Sequence, residues 1–261
     1  MQGPIEQSIG LTIAGNAFLQ GHDIGRFWPD STIFIFCRAV RFVMGDRIAA
    51  PDPLVWFRSL AGDRHGLRLH AVRRERSDLA DWMDVGLIGG GSAWLIESGG
   101  GSKLCRWSGE WSHSNQVADH DQPWSVTYRG APAAPLPAAA DLDRAEQDFA
   151  AALLAIYLFA RRIHSHFSEY FEDALAILAL RKPPDPNFAS TVVPAGFLSP
   201  KAERVIGACC TAWVFGGMGA WNDGAYGGEH EMEGDRLTEA LFDHLQKALT
   251  AAANSTCAGP L

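Results

Sequence analysis

Apolar residues recur at two different periods along this chain, and the change of period falls near its middle. In the first 130 residues, β-branched and aromatic residues come in short runs separated by Gly and Pro. The runs are Ile9 to Phe18, Thr32 to Val43, Leu67 to Arg73, Val85 to Ile88, Ala93 to Glu97, Lys103 to Trp111 and Trp124 to Arg129. Such runs fit a pleated, half-buried surface and predict strands. The triplets Gly89-Gly90-Gly91 and Gly99-Gly100-Gly101 supply the positive φ angles of tight hairpins, so the strands are expected to form an antiparallel meander. One short helix interrupts them. Asp52 before Pro53 has the form of an N-cap with proline at the first helical position, which predicts a helix over Pro53 to Leu60 with Leu54, Phe57 and Leu60 inward.

Beyond residue 140 the period becomes helical. Asp141 to Leu180 contains no Gly or Pro, and Leu142, Ala145, Phe149, Leu153, Ile156 and Ala160 repeat at spacings of three and four. A single helix of that length would be roughly 60 Å long at about 1.5 Å per residue, so a break is expected near His164 to Ser168. Pro183, Pro184 and Pro186 end the run; Ser199-Pro200 starts a helix expected to reach Phe215, and a last helix is expected from about Asp235 to Ala252. Between the two regimes, Ala131 to Ala140 (APAAPLPAAA) reads as a Pro/Ala linker. The expected fold class is α+β, with an N-terminal antiparallel β-sheet and one short helix followed by a C-terminal α-helical bundle. The expected divisions are 1–130, a linker at 131–140, and 141–261 with a Gly-rich loop at 216–228.

Composition and charge narrow the class of partner. The 261 residues carry a net charge of −8, with 47% hydrophobic and 10% aromatic residues, enough for a folded core. Residues 1–130 hold 13 Lys+Arg against 14 Asp+Glu, and residues 131–261 hold 9 against 16, so neither half offers the basic surplus that nucleic-acid binding needs. A local basic cluster, Arg64, His65, Arg68, His70, Arg73, Arg74 and Arg76, reads as a solvated strand face or else as an anion contact surface. Five scattered cysteines without a C-x-x-C pair indicate neither a disulfide framework nor a zinc knuckle. The start Met1-Gln2-Gly3-Pro4 lacks the features of a signal peptide, and no segment has the length to span a bilayer, so a cytoplasmic protein without membrane association is expected.

The richest candidate site is Val214 to Glu233, where six glycines alternate with aromatic, amide and acidic residues. Gly217 and Gly219 are spaced G-x-G, but Asn222 stands where a dinucleotide fingerprint needs glycine, and the loop follows a helix pattern instead of a strand. Phosphate-loop, metalloprotease-helix and nucleophile-elbow motifs are absent from the sequence, and no cofactor is implied. Within the loop, Asp223 and His230 are the candidate base and acid partner. Asn222 would orient a substrate, Trp221 would serve as a platform, and Tyr226, Gly217 and Gly219 would complete the ligand wall. The blander account is a helix-joining loop in which Asp223 makes a local turn bond and the acids lie near the start of the last helix.

Two clusters have metal-ligating residue types: His166, Glu169 and Asp173 on one helix face, and His113, Asp119, His120 and Asp121 in a connection. Both read as surface clusters, and no metal is assigned. Trp94, Trp107, Trp111 and Trp124 lie in adjacent expected strands, either as cross-strand core or as an aromatic groove for a flat or apolar ligand. Cys209-Cys210 reads as helix packing and His22-Asp23 as part of a turn. Taken together, these features point first to a non-catalytic binding or assembly protein that holds a protein partner or associates with itself. The alternative is a small-molecule enzyme using general acid–base chemistry at the Trp-Asn-Asp loop.

Overall fold

A computed structural model describes residues 3–61, 66–74, 80–86, 90–99, 103–116, 120–137, 140–186 and 188–258. The fold class is α+β, with the sheet in the N-terminal part and helices dominating the C-terminal part. Strands β1 (Cys37–Met44), β2 (Arg47–Ala50), β3 (Arg68–Val72), β4 (Ala93–Ser98), β5 (Cys105–His113) and β6 (Trp124–Pro132) form one sheet in the order β2-β1-β6-β5-β4-β3. Helix α2 (Pro53–Leu60) begins as the sequence dictates, with Pro53 in its first turn and the Asp52 carboxylate accepting the Val55 N–H at 2.8 Å. It carries the chain from β2 across to the far edge. The meander β3 to β6 then walks back antiparallel until β6 meets β1, where the two strands run parallel. The sheet is therefore mixed, because the direction of β6 is set by the crossover and not by a hairpin with its neighbour.

The expected strand at Ile9 to Phe18 is corrected: these residues belong to helix α1 (Gly3–Leu19). Gln7 to Ala17 are all buried, and a helix covered on every side shows no polar face at a 3.6-residue period. Its glycines mark close approach. A Cβ on Gly15 would stand 2.3 Å from Leu67 Cδ1 and 2.8 Å from Phe57 Cε1. Gln7 is turned to tertiary partners, donating to the Ile33 carbonyl at 3.3 Å and accepting from the Tyr128 hydroxyl at 3.1 Å, whereas Ser8 and Thr12 donate to carbonyls of their own helix. Likewise the expected strand Thr32 to Val43 opens with a 3-10 turn, Thr32–Phe34, before β1 begins. Val85 and Gly86 form a turn after α3 (Asp81–Asp84) in place of the expected strand, and residues 87–89 lie outside the described set.

In the C-terminal part, α4 (Leu142–Arg162) and α5 (Ser168–Leu178) are separated at the expected break, where His164 takes φ 54°. Short α6 (Phe188–Val192) precedes α7 (Pro200–Thr211), capped by Ser199, whose hydroxyl accepts the Ala202 N–H at 3.1 Å. Helix α7 stops four residues before the expected Phe215, because Trp213 and Phe215 leave the helix to pack on Phe242 of α8 (Glu231–Asn254). The Pro/Ala segment starts as the end of β6 and continues across the sheet. Ala133 donates to the Leu104 carbonyl at 3.1 Å, and Leu136 donates to the Glu97 carboxylate at 3.2 Å. Beneath it, Glu97 is held between His70 and Arg106, each at 3.0 Å. Burial lowers the His70 pKa, outweighing the opposite pull of the Glu97 carboxylate.

One cluster of buried apolar residues runs from Ile5 to Ala253 and draws on both parts of the chain. The outer edge of the sheet at β3 is closed by two amide side chains. Asn16 of α1 accepts the Leu67 N–H at 2.6 Å and donates to its carbonyl at 3.0 Å, while Asn254 of α8 does the same for Leu69 at 2.7 and 2.9 Å. Alternate residues of an edge strand present their backbone groups to the same side, so the two amides take the place of a neighbouring strand. Among the described residues, no helix is long and apolar enough to cross a membrane.

Candidate functional site

The glycine-rich loop between α7 and α8 is organised by its own side chains. Trp221 is 0% exposed, with the rings of Phe159, Phe167, Phe171 and Tyr226 around it, and its Nε1 donates to Thr238 Oγ1 at 2.8 Å. Asn222 accepts the Gly216 N–H at 3.0 Å and donates to the Gly216 carbonyl at 3.1 Å. Asp223 accepts the Gly219 N–H at 2.8 Å, a turn bond that the φ of 82° at Gly219 makes possible. The Tyr226 hydroxyl donates to Asp235 at 3.0 Å and lies 3.0 Å from Thr238 Oγ1; burial pushes its pKa up. His230 stands edge-on to Phe159 and 3.7 Å from Glu229. The structure thus gathers Trp221, Asn222 and Tyr226 into the frame of the loop. Among the described residues, Asp223 and His230 share no hydrogen bond or ion pair, and Gly217 has open space around its Cα.

The back of this loop supports a second feature. Asn222 also donates to the Met83 carbonyl at 3.4 Å, and a Cβ on Gly86 would stand 2.1 Å from the Gly216 carbonyl oxygen. The turn Val85–Gly86 is thereby pressed between the glycine loop and a cleft of about 770 Å³ that it helps to line. The cleft exists because two strands part. The β4–β5 ladder runs from Ser98↔Cys105 to Leu95↔Ser108 and ends there, whereas β5 continues to His113, paired only with β6 among the described residues. The first turn of α1, from Gly3 to Glu6, and the start of β1 around Cys37 also line the cleft.

The walls are mostly apolar and carry indoles. Trp94, Trp111 and Trp124 line the cleft, Trp111 and Trp124 meeting edge-to-face at 5.9 Å. Trp107, of the same expected group, is core instead: it packs on Trp56, donates to Ser98 Oγ at 2.8 Å, and covers Gly130, where a Cβ would approach its ring to 2.6 Å. Ile35 and Phe36, 57% and 61% exposed, stand on the cleft lining. Glu6, Glu110 and Arg74 supply its charge. Burial raises the Glu6 carboxyl pKa, and Glu110 binds Arg129 at 2.7 Å. Burial also pushes the Cys37 thiol up to about 11, so it is protonated at neutral pH and a poor nucleophile.

Most of this cleft escaped the sequence reading, because its floor belongs to α1, which the apolar run disguised as a strand. The available signal was Gly109 inside a strand pattern, which often marks close approach of a ligand or backbone. Other candidates settle elsewhere. In the basic cluster, Arg73 pairs with Glu239 at 2.9 Å and His70 with Glu97, while Arg64, His65 and Arg76 lie outside the described residues. Asp173 receives Lys182 at 2.6 Å, the His166 ring lies tilted against Phe167, and Asp119 is not among the described residues. Among those that are, no group of three or more His, Cys, Asp or Glu is placed to hold a metal. Asp23 accepts the Gly25 N–H at 2.8 Å in a local turn. Comparison with protein-family models, curated proteins and solved structures returned no match.

Proposed function

We propose that this protein binds its ligand without transforming it, and that the cleft between α1 and the parted strands β4 and β5 is the binding site. The observation that carries this reading is the gap itself: about 770 Å³ of indole-walled space along an open strand. Ligand sites of roughly 300–1,000 Å³ with apolar walls and a few polar groups are typical. Most of the side chains that could act chemically are poorly set for it; the exception on the lining is Glu6, whose carboxyl pKa burial raises. Cys37 keeps its proton, Glu110 is engaged by Arg129, and Asp223 serves the glycine loop, which supports binding over acid–base chemistry there. The loop has an architectural part in the same site, bracing the wall at Gly86.

The test uses an uncharged fluorescent probe, N-phenyl-1-naphthylamine, titrated with energy transfer from tryptophan as readout. Saturable one-to-one binding is expected, weakened about tenfold, or ~1.4 kcal/mol, by Trp111→Ala. Met218→Ala, at a site 98% exposed on the glycine loop, is expected to leave it unchanged. Absence of saturable binding, or binding indifferent to Trp111→Ala, would overturn the proposal.

A further inference from the structure

We propose, building on that binding role, that the occupant of the cleft is an extended polypeptide segment that joins the sheet as a strand along β5. The reasoning begins with the backbone. The β4–β5 ladder ends at Ser108, so from Gly109 to His113 one edge of β5 carries main-chain donors and acceptors with no ladder partner among the described residues. Such an edge is a template for another chain, and a small apolar ligand would leave those groups without partners. Gly109 and Glu110 still stand opposite the last residues of β4, Trp94 and Ala93, so the stretch clear of β4 is Trp111 to His113, about 10 Å at ~3.4 Å per residue, room for three residues of an added strand.

The faces of β5 specify what that strand should carry. Gly109 lies opposite Tyr128, whose hydroxyl reaches Gln7 of α1, so Gly109 and Trp111 face α1. Glu110 faces the other way, beside Arg129. An added strand would therefore send alternate side chains toward Trp94 and Trp111 and the others outward past Glu110. Opposite charges on neighbouring strands attract and like charges repel; Arg129 holds Glu110 Oε2 at 2.7 Å, and the carboxylate's other oxygen can take a lysine or arginine of the added strand. Apolar residues belong at the alternating positions, where they would pack on the indoles of Trp94 and Trp111. Ile35 and Phe36 extend the apolar wall beyond Trp111 and Trp124. The partner is thus a peptide segment of alternating apolar and basic residues, recognised by β-augmentation.

The decisive experiment is a binding comparison with an end-blocked peptide, Thr-Lys-Val-Lys-Val-Lys-Val-Lys-Thr, and two versions N-methylated at alternate backbone amides, one along each edge. Strand addition uses one edge only. One methylated version should bind as the parent does, and the other should lose at least about tenfold. Hydrogen exchange should show new protection within Gly109 to His113, and Glu110→Lys should shift preference from the lysine peptide to its glutamate counterpart. Equal binding of both methylated versions, protection confined to other segments, or failure of the peptide to saturate at millimolar concentration would overturn the proposal. If the naphthylamine probe binds while the peptide does not, the cleft takes a small molecule and only the strand inference fails. If neither binds, the binding role fails with it.

Discussion

Truncating Trp221 to alanine tests whether the glycine-rich loop is a folded part of the core or a tether between helices. The side chain is 0% exposed and meets four aromatic rings, so its removal both forfeits burial and opens a cavity. Core Trp→Ala and Phe→Ala changes cost about 3–5 kcal/mol. The lost indole hydrogen bond adds little, because Thr238 keeps the Tyr226 hydroxyl at 3.0 Å and is not orphaned. A loss of about 4 kcal/mol is expected, which at an m-value of ~3 kcal/mol/M moves the urea midpoint by more than about 1 M. Far-UV circular dichroism and the fluorescence of the remaining tryptophans should report the same midpoint. Gly219→Val, at φ 82°, should cost about 1–2 kcal/mol for a side chain forced into left-handed backbone. Gly217→Val, with ordinary φ and nothing within 4 Å of its Cβ position, should stay within ~0.5 kcal/mol. A Trp221→Ala midpoint shift below about 0.2 M, or a larger cost at Gly217 than at Gly219, would refute the reasoning.

Asn16→Leu should cost about 2–4 kcal/mol, because it leaves the buried N–H and carbonyl of Leu67 without their partner; denaturation showing under ~0.5 kcal/mol would contradict the bond assignment. His70 has a folded pKa below the ordinary histidine value of 6.5, so its neutral form favours folding above that pH and the contribution is lost as pH falls below it. His70→Gln should flatten the stability profile on the acid side, and an unchanged profile would exclude His70 as a source. Gly86→Ala should weaken naphthylamine binding by displacing the cleft wall from Gly216 while far-UV dichroism is retained. Cys37 should resist iodoacetamide at pH 8 in the folded protein and react only as pH approaches 11; rapid native-state alkylation at pH 8 would show the thiol is not buried as described.

What the sequence made legible follows from how local each signal was. Asp52-Pro53 specifies the start of α2 with its own cap and its own fixed φ, so nothing distant had to be known. The break at His164 was forced by length, and the strands around Trp94, Trp107 and Trp124 by composition. Helix α1 was illegible because burial on every side erased the periodicity that distinguishes helix from strand. The loop residues Trp221, Asn222 and Tyr226 do lie together, yet their partners, Phe159, Met83 and Thr238, are remote in sequence and turn those side chains inward. The cleft was least legible of all, since it is made by the end of one ladder, and register is not written in either strand alone.

The two asparagines on β3 impose an order of events during synthesis. Leu69 and Asn254 are 185 residues apart, so at about 5–20 residues per second a ribosome would leave that strand without its clasp for roughly ten to forty seconds. The sheet can assemble in that interval, but its β3 side stays adhesive to any other nascent chain until α8 has emerged. A chain cut short before residue 254 would therefore keep β1 to β6 but leave the β3 side open to aggregation, and chaperones that shelter open sheet edges would matter for this protein until α8 has been made.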